Sequence, residues 1–189
     1  MQGGNNFCTT CSSPGNLFLN MATTRPVSTA NLPETSFVQP SPLLARPGFL
    51  IRRLHQLHCS LFYDETKAFS ITPVQFSLMT ALAERGELDQ NGLAIEIGLE
   101  RTSVAEVVLR LQDRGIVERR QSTVDGRVKR VRLTRKGKAL INKMADAVQR
   151  AHDRTIDQLP KADRDLFLQY LVTLVKSNND IGTVPFRLP

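Results

Sequence analysis

The chain has 189 residues, 41% of them hydrophobic, and a net charge of +7. That length suits one domain, or one domain with a tail, and the apolar content allows a core. No apolar run approaches the roughly 18 residues of a membrane span, so no membrane partner is expected.

The charge is unevenly spread. Twelve basic and four acidic residues lie between Arg101 and Lys138, so the rest of the chain is close to neutral. A basic segment on a near-neutral chain predicts a defined polyanion site rather than general stickiness.

Residues 1–46 read as a disordered tail. Ser, Thr, Asn, Gly and Gln dominate, and prolines from Pro14 to Pro42 interrupt any periodicity. The short apolar cluster at 17–21 lacks a basic flank and is no secretory signal. Met21-Ala22 reads as an alternative start. Cys8 and Cys11 have half-site spacing, but no second Cys or His pair is near, so no metal is expected. Cys59 falls in a helix and reads as a small buried hydrophobe, and this cysteine usage fits a cytoplasmic protein.

Pro47 opens a first helix, about 47–69, with Leu50, Ile51, Leu54, Leu57, Leu61 and Phe62 as one stripe. Thr72-Pro73 caps a second, about 73–85, with Phe76, Met79, Leu82 and Ala83 inward. Asp89 caps a third, 90–97, which stops at Gly98. A fourth runs about 101–114 and stops at Gly115. Strands follow at about 116–121 and 128–133, joined by the turn signal Val124-Asp125-Gly126. Thr134 caps a long helix to about 159. Pro160 begins a last helix to about 178, and an irregular tail covers 179–189. The class is mainly α with a small β-wing, a winged helix-turn-helix between terminal helices.

In the fourth helix Val104, Val107, Val108 and Leu111 recur at i, i+3, i+4 and i+7. The opposite face carries Arg101, Thr102, Ser103, Glu106 and Arg110. Short hydroxyl residues allow close approach to the major groove of duplex DNA. Glu106 can accept from cytosine N4, or it can pair with Arg110 four residues on. Arg127 and Lys129 sit at the wing tip, where a cation can reach the minor groove.

This constellation resembles the MarR family of bacterial transcriptional regulators. The matching pieces are TPVQFSLMTAL (72–82), LAIEIGLERTSVAEVVLRLQDRGIVER (93–119), DGR (125–127) and LTRKGKAL (133–140). The resemblance spans about 47–178. It implies a homodimer built by helices 47–71 and 135–178, with 72–134 as the DNA-binding lobe. It further implies a palindromic operator and release by a small, often aromatic, acid. Arg127 matches the family's wing arginine, and Thr102 and Ser103 its hydroxyl pair. Ala105, Glu106 and Leu109 depart from the common pattern, so the operator cannot be transferred. The tract RPGFLIRRLHQLHCSLF looks like repressors of aromatic-acid and hydroxynicotinate breakdown, which implies an effector such as 6-hydroxynicotinate.

His58 lies at the centre of the first helix's apolar stripe, with His55 about 60° away. A histidine there needs a partner: a core or dimer-interface group, or a bound aromatic carboxylate. Phe62, Tyr63, Phe76 and Met79 are the candidate walls of such a site. An architectural DNA binder without effector is the alternative function. No catalytic constellation appears, so neither an enzyme nor a cofactor is expected.

Overall fold

The computed structural model describes residues 41–121, 128–182, 184, 186 and 187. The tail expected over 1–46 therefore lies mostly outside the described residues. Within it, Ser41–Ala45 form a turn closed by the Leu44 and Ala45 amides on the Ser41 carbonyl.

Pro47 begins α1 (Pro47–Thr66), which tightens into a 3-10 turn at Lys67–Phe69. Thr72 then starts α2 (Pro73–Arg85) with a reciprocal box. Its hydroxyl accepts from the Gln75 amide, and the Gln75 side chain accepts from the Thr72 amide. Two helix-start donors are thus satisfied locally. Gly86, at φ +84, ends the helix in a conformation that disfavours any side chain.

The sequence predicts two strands; the sheet has three, in the order β1-β3-β2. The addition is β1 (Glu87–Asp89), paired antiparallel to β3 (Lys129–Leu133) with Leu88 opposite Val131. Three residues are too few to show alternation, and β1 exists because β3 offers it an edge. β2 (Val117–Gln121) covers the other edge of β3, with Val117 opposite Leu133. Between β1 and β2 lie α3 (Gln90–Ile97) and α4 (Arg101–Asp113). The Asp89 carboxylate caps α3 by accepting from the Gly92 amide at 2.7 Å.

The core sits in this lobe. Leu78, Met79 and Leu82 of α2 meet Leu93, Val104, Val108 and Leu111, closed by Ile116, Val117, Val131 and Leu133. Each such side chain contributes about 1.5–3 kcal/mol by leaving water. Thr134 caps α5 (Arg135–Ile156), whose Met144, Val148 and Ala151 extend the core towards Phe62 of α1. Glu65 of α1 bonds Arg150 and Arg154 of α5, each at 2.8 Å. Those two guanidiniums, Arg150 first, hold the Glu65 carboxyl below its ordinary range.

The expected stripe of α1 is buried only near its end. Phe62 is 2% exposed, whereas Leu50, Ile51 and Leu57 remain 45–55% exposed. α6 (Lys161–Ser177) buries no residue at all.

Candidate functional site

The α4 helix is held from behind by Val104, Val108 and Leu111, each fully buried. Arg101, Thr102 and Ser103 consequently project from its first turn into solvent. Arg101 and Lys129 share a recess of about 270 Å³ with Asp89, Gln90, Asn91 and Val128. The start of α4 and the loop end of the β2–β3 ribbon, where Lys129 faces Gln121, therefore form one surface. Arg127, the expected wing-tip contact, lies outside the described residues. Glu106 pairs with Arg110 at 3.5 Å, with both side chains about 70% exposed. The intrahelical alternative is thus formed, with both groups still open to solvent.

Several cations of the basic segment serve the protein instead. Arg132 bonds Glu118 across the strands, and this bond lowers the Glu118 carboxyl below its ordinary range. Arg114 donates to the carbonyls of Ser70 at 2.6 Å and Phe69 at 2.9 Å. Lys136 in turn donates to the Arg114 carbonyl at 2.7 Å. The end of α4 is thereby tied to the α1–α2 turn and to the first turn of α5. Sequence periodicity gives no sign of these long-range ties.

The histidine region divides into two cavities. One, of about 770 Å³, is lined by Ile51, Leu54, His55, His58 and Ile156, and by Phe167 of α6. The other, of about 440 Å³, is lined by Phe76, Thr80, Ile97 and Glu96. His152 reaches both. Its ring stacks on His58 with centroids 5.1 Å apart and planes 19° apart. His58 Nδ1 lies 2.8 Å from Thr155 Oγ1. Burial, then the neighbouring His152 and His55, lower the His58 pKa below 6.5.

The six expected ligand residues do not share one wall. His58 and His55 line the larger cavity, and Phe76 the smaller. Phe62 and Met79 are 2% and 0% exposed and stand in the core behind them. Phe62 supports both neighbours, 6.3 Å from His58 and 6.0 Å from Phe76 by ring centroid. Tyr63 is 68% exposed, one helical step from the buried face, and lines neither cavity. Sequence reading missed His152 and Thr155. The signal was present: Met144, Val148, Ala151 and Thr155 continue a single seam of α5 at three- and four-residue steps.

Among the described residues, no group of three His, Cys, Asp or Glu side chains could hold a metal. No helix there is long and apolar enough to cross a membrane.

Residues 71–129 match the MarR family model. The chain is 24% identical over 143 residues to the HTH-type transcriptional repressor NicR of Pseudomonas putida, covering 76% of this chain and 90% of that protein. The structure of Bordetella bronchiseptica BpsR, whose DNA binding is regulated by 6-hydroxynicotinic acid, aligns with a TM-score of 0.65 and 25% identity. That alignment covers 68% of this chain and 92% of BpsR. PcaV of Streptomyces coelicolor, in complex with its natural ligand, aligns with a TM-score of 0.66 and 28% identity, over 71% of this chain and 94% of PcaV. The repressor CouR bound to a 23-mer DNA duplex aligns with a TM-score of 0.66 and 26% identity, over 69% and 93%. The family model matches α2–α4 and β2 and ends at the first residue of β3, and the relatives are transcriptional regulators, not enzymes. Residues 71–129 of this chain are thus a MarR family domain, the domain of the transcriptional regulators it resembles.

Proposed function

We propose that the protein is a homodimeric repressor that leaves a palindromic operator when it binds a small aromatic acid, 6-hydroxynicotinate being the first candidate. The observation that carries the reading is the stacked His58–His152 pair between two cavities, one beside α6 and one beside the DNA-binding lobe. An acid bound there touches both halves of the molecule, which an inducer requires, because it must favour one arrangement of them over another. A carboxylate beside His58 favours the imidazolium and offsets the burial that disfavours it. The ligand-regulated relatives BpsR and PcaV support the effector class.

The dimer rests on unpartnered apolar surface. Leu50, Ile51 and Leu57 on α1, with Leu166, Leu168 and Leu174 on α6, are all 44–55% exposed. Patches of that kind mark interaction surfaces. A second copy covers both sets by a two-fold operation.

The test is a titration of operator-bound protein with aromatic acids, for wild type and His58→Ala, alongside sedimentation of the free protein. Release of the wild type by micromolar acid, and a response weakened about tenfold or more in the variant, is expected. Equal responses remove His58 from the site. No response to any aromatic acid favours an architectural DNA binder, and a monomeric mass removes the dimer.

A further inference from the structure

The sequence reads residues 179–189 as an irregular tail, yet the described part of that tail is tied to the DNA-binding lobe. Asn179, in a 3-10 turn after α6, grips Phe186 from both sides. Its amide nitrogen donates to the Phe186 carbonyl at 3.0 Å, and its amide oxygen accepts from the Phe186 N–H at 3.2 Å. The next residue reaches α3. The Arg187 N–H donates to the Ile95 carbonyl at 2.9 Å. That carbonyl belongs to the last turn of α3, where the helix itself supplies no partner. The Arg187 guanidinium bonds Glu96 at 2.9 Å, which also receives Arg85 at 3.3 Å.

The Phe186 ring lies over Gly98, at φ +63. A Cβ on that residue would meet Phe186 Cδ2 at 3.3 Å. Phe186 also lines the cavity of about 440 Å³ that Phe76, Thr80, Glu96, Ile97 and His152 complete. Two aromatic rings and an imidazole thus face one space, with the hydroxyls of Ser77 and Thr80 and the carboxylates of Glu84 and Glu96 at its side.

We infer that this C-terminal strap is a wall of the effector site, and that Phe186 sets the size of the ring the site admits. The inference rests on the effector reading above. It places the effector's ring in the smaller cavity among Phe76, Ile97 and Phe186, and its carboxylate towards the His58–His152 pair. The ligand class is a single planar heteroaromatic ring with one polar substituent, which Thr80 and Glu96 are placed to meet. A fused two-ring acid collides with Phe186 while the strap is docked.

The experiment measures binding of 6-hydroxynicotinate and of a two-ring acid, 2-hydroxyquinoline-4-carboxylate, by calorimetry on the full-length chain. Wild type, Phe186→Ala and the double variant Asn179→Ala/Arg187→Ala are compared, each checked for an unchanged far-UV spectrum. The double variant removes the side-chain ties of the strap and leaves every apolar side chain of the wall in place, so it guards against a trivial effect of the first. In both variants the preference for one ring over two should fall by about tenfold or more, as expected when a steric wall is removed from a pocket. An unchanged preference, with binding of the one-ring acid intact, overturns the wall. Failure of the underlying reading looks different: the wild type binds neither acid, and the wall as an effector contact is overturned with it.

Discussion

Thr155 fixes the tautomer of His58. The threonine hydroxyl gives its only proton to the Ala151 carbonyl at 2.7 Å, so at 2.8 Å it can only accept from His58 Nδ1. Neutral His58 therefore carries its proton on Nδ1 and leaves Nε2 as an acceptor. A carboxylate at Nε2 requires a second proton.

Effector affinity should consequently depend on pH. In the free protein burial, His152 and His55 keep the His58 pKa below 6.5, and a bound carboxylate raises it. Binding then takes up a proton, and affinity falls as pH rises through the pKa of the complex. Folding stability carries the opposite sign. The unfolded state binds the His58 proton first, so this contribution is complete above pH 6.5 and is lost as pH falls through the lower folded value. Imidazole NMR shifts with and without acid check the first statement, and urea unfolding between pH 8 and 5 the second. A His58 pKa at or above 6.5 in the free protein refutes both.

Arg114 should act as a structural hinge pin rather than a DNA contact. Its two donors hold the Phe69 and Ser70 carbonyls between α1 and α2. Hydrogen bonds from a charged donor are worth about 1.5–3 kcal/mol, and partial exposure here places the loss from Arg114→Ala near the lower figure. Arg114→Lys should lose nearly as much, since one ammonium cannot reproduce the fork. Because the side chain is spent on protein, the salt dependence of DNA binding should keep its slope in both variants. A slope reduced by about one unit would place Arg114 on a phosphate instead.

The helices and the wing were legible because each carries a local signal. Thr72, Asp89 and Thr134 cap where their side chains predict, and Val104, Val108 and Leu111 face inward at the expected steps. What was not legible depends on partners far along the chain. β1 needs β3 some forty residues on, and Arg187 needs Ile95. The ligand region shows the same limit: a helical wheel places His58 correctly on one face, but cannot say that His152 stacks on it and divides the space beyond. Tyr63 neighbours the apolar stripe in sequence, yet its side chain faces outward.

Two glycines in helices should respond to alanine in opposite ways. A Cβ on Gly137 collides with the Ile116 carbonyl oxygen and crowds Leu133 Cδ2 at 3.0 Å. The first turn of α5 packs on backbone there, so Gly137→Ala should destabilise by about 1–3 kcal/mol. Gly48, in the first turn of α1, has nothing within 4 Å of the same atom. Gly48→Ala should stabilise by about 0.4–1 kcal/mol through the unfolded chain. Thermal unfolding of the two variants gives the signs directly, and a stabilised Gly137→Ala would contradict the close approach of α5 to the sheet.

On DNA, Glu106 and Arg127 should separate preference from affinity. Arg127 lies outside the described residues, and its assignment rests on the wing motif and on Lys129, at the loop end of the β2–β3 ribbon beside Arg101. Losing a groove-reaching cation should cost about 1–3 kcal/mol and lower the salt slope by about one. Glu106 offers no attraction to phosphate, so Glu106→Ala should leave overall affinity within about threefold while shifting the preferred bases. The Glu106–Arg110 pair gives this shift a direction. Freed of its partner at 3.5 Å, Arg110 gains the option of a guanine O6/N7 contact, and sites richer in G at the corresponding step should rise in rank. Selection from a randomised operator pool, run in parallel for wild type and both variants, reads rank and affinity together. An unchanged ranking for Glu106→Ala would mean that the carboxylate only pairs with Arg110 and reads no base. An unchanged affinity for Arg127→Ala would take the wing tip off the DNA.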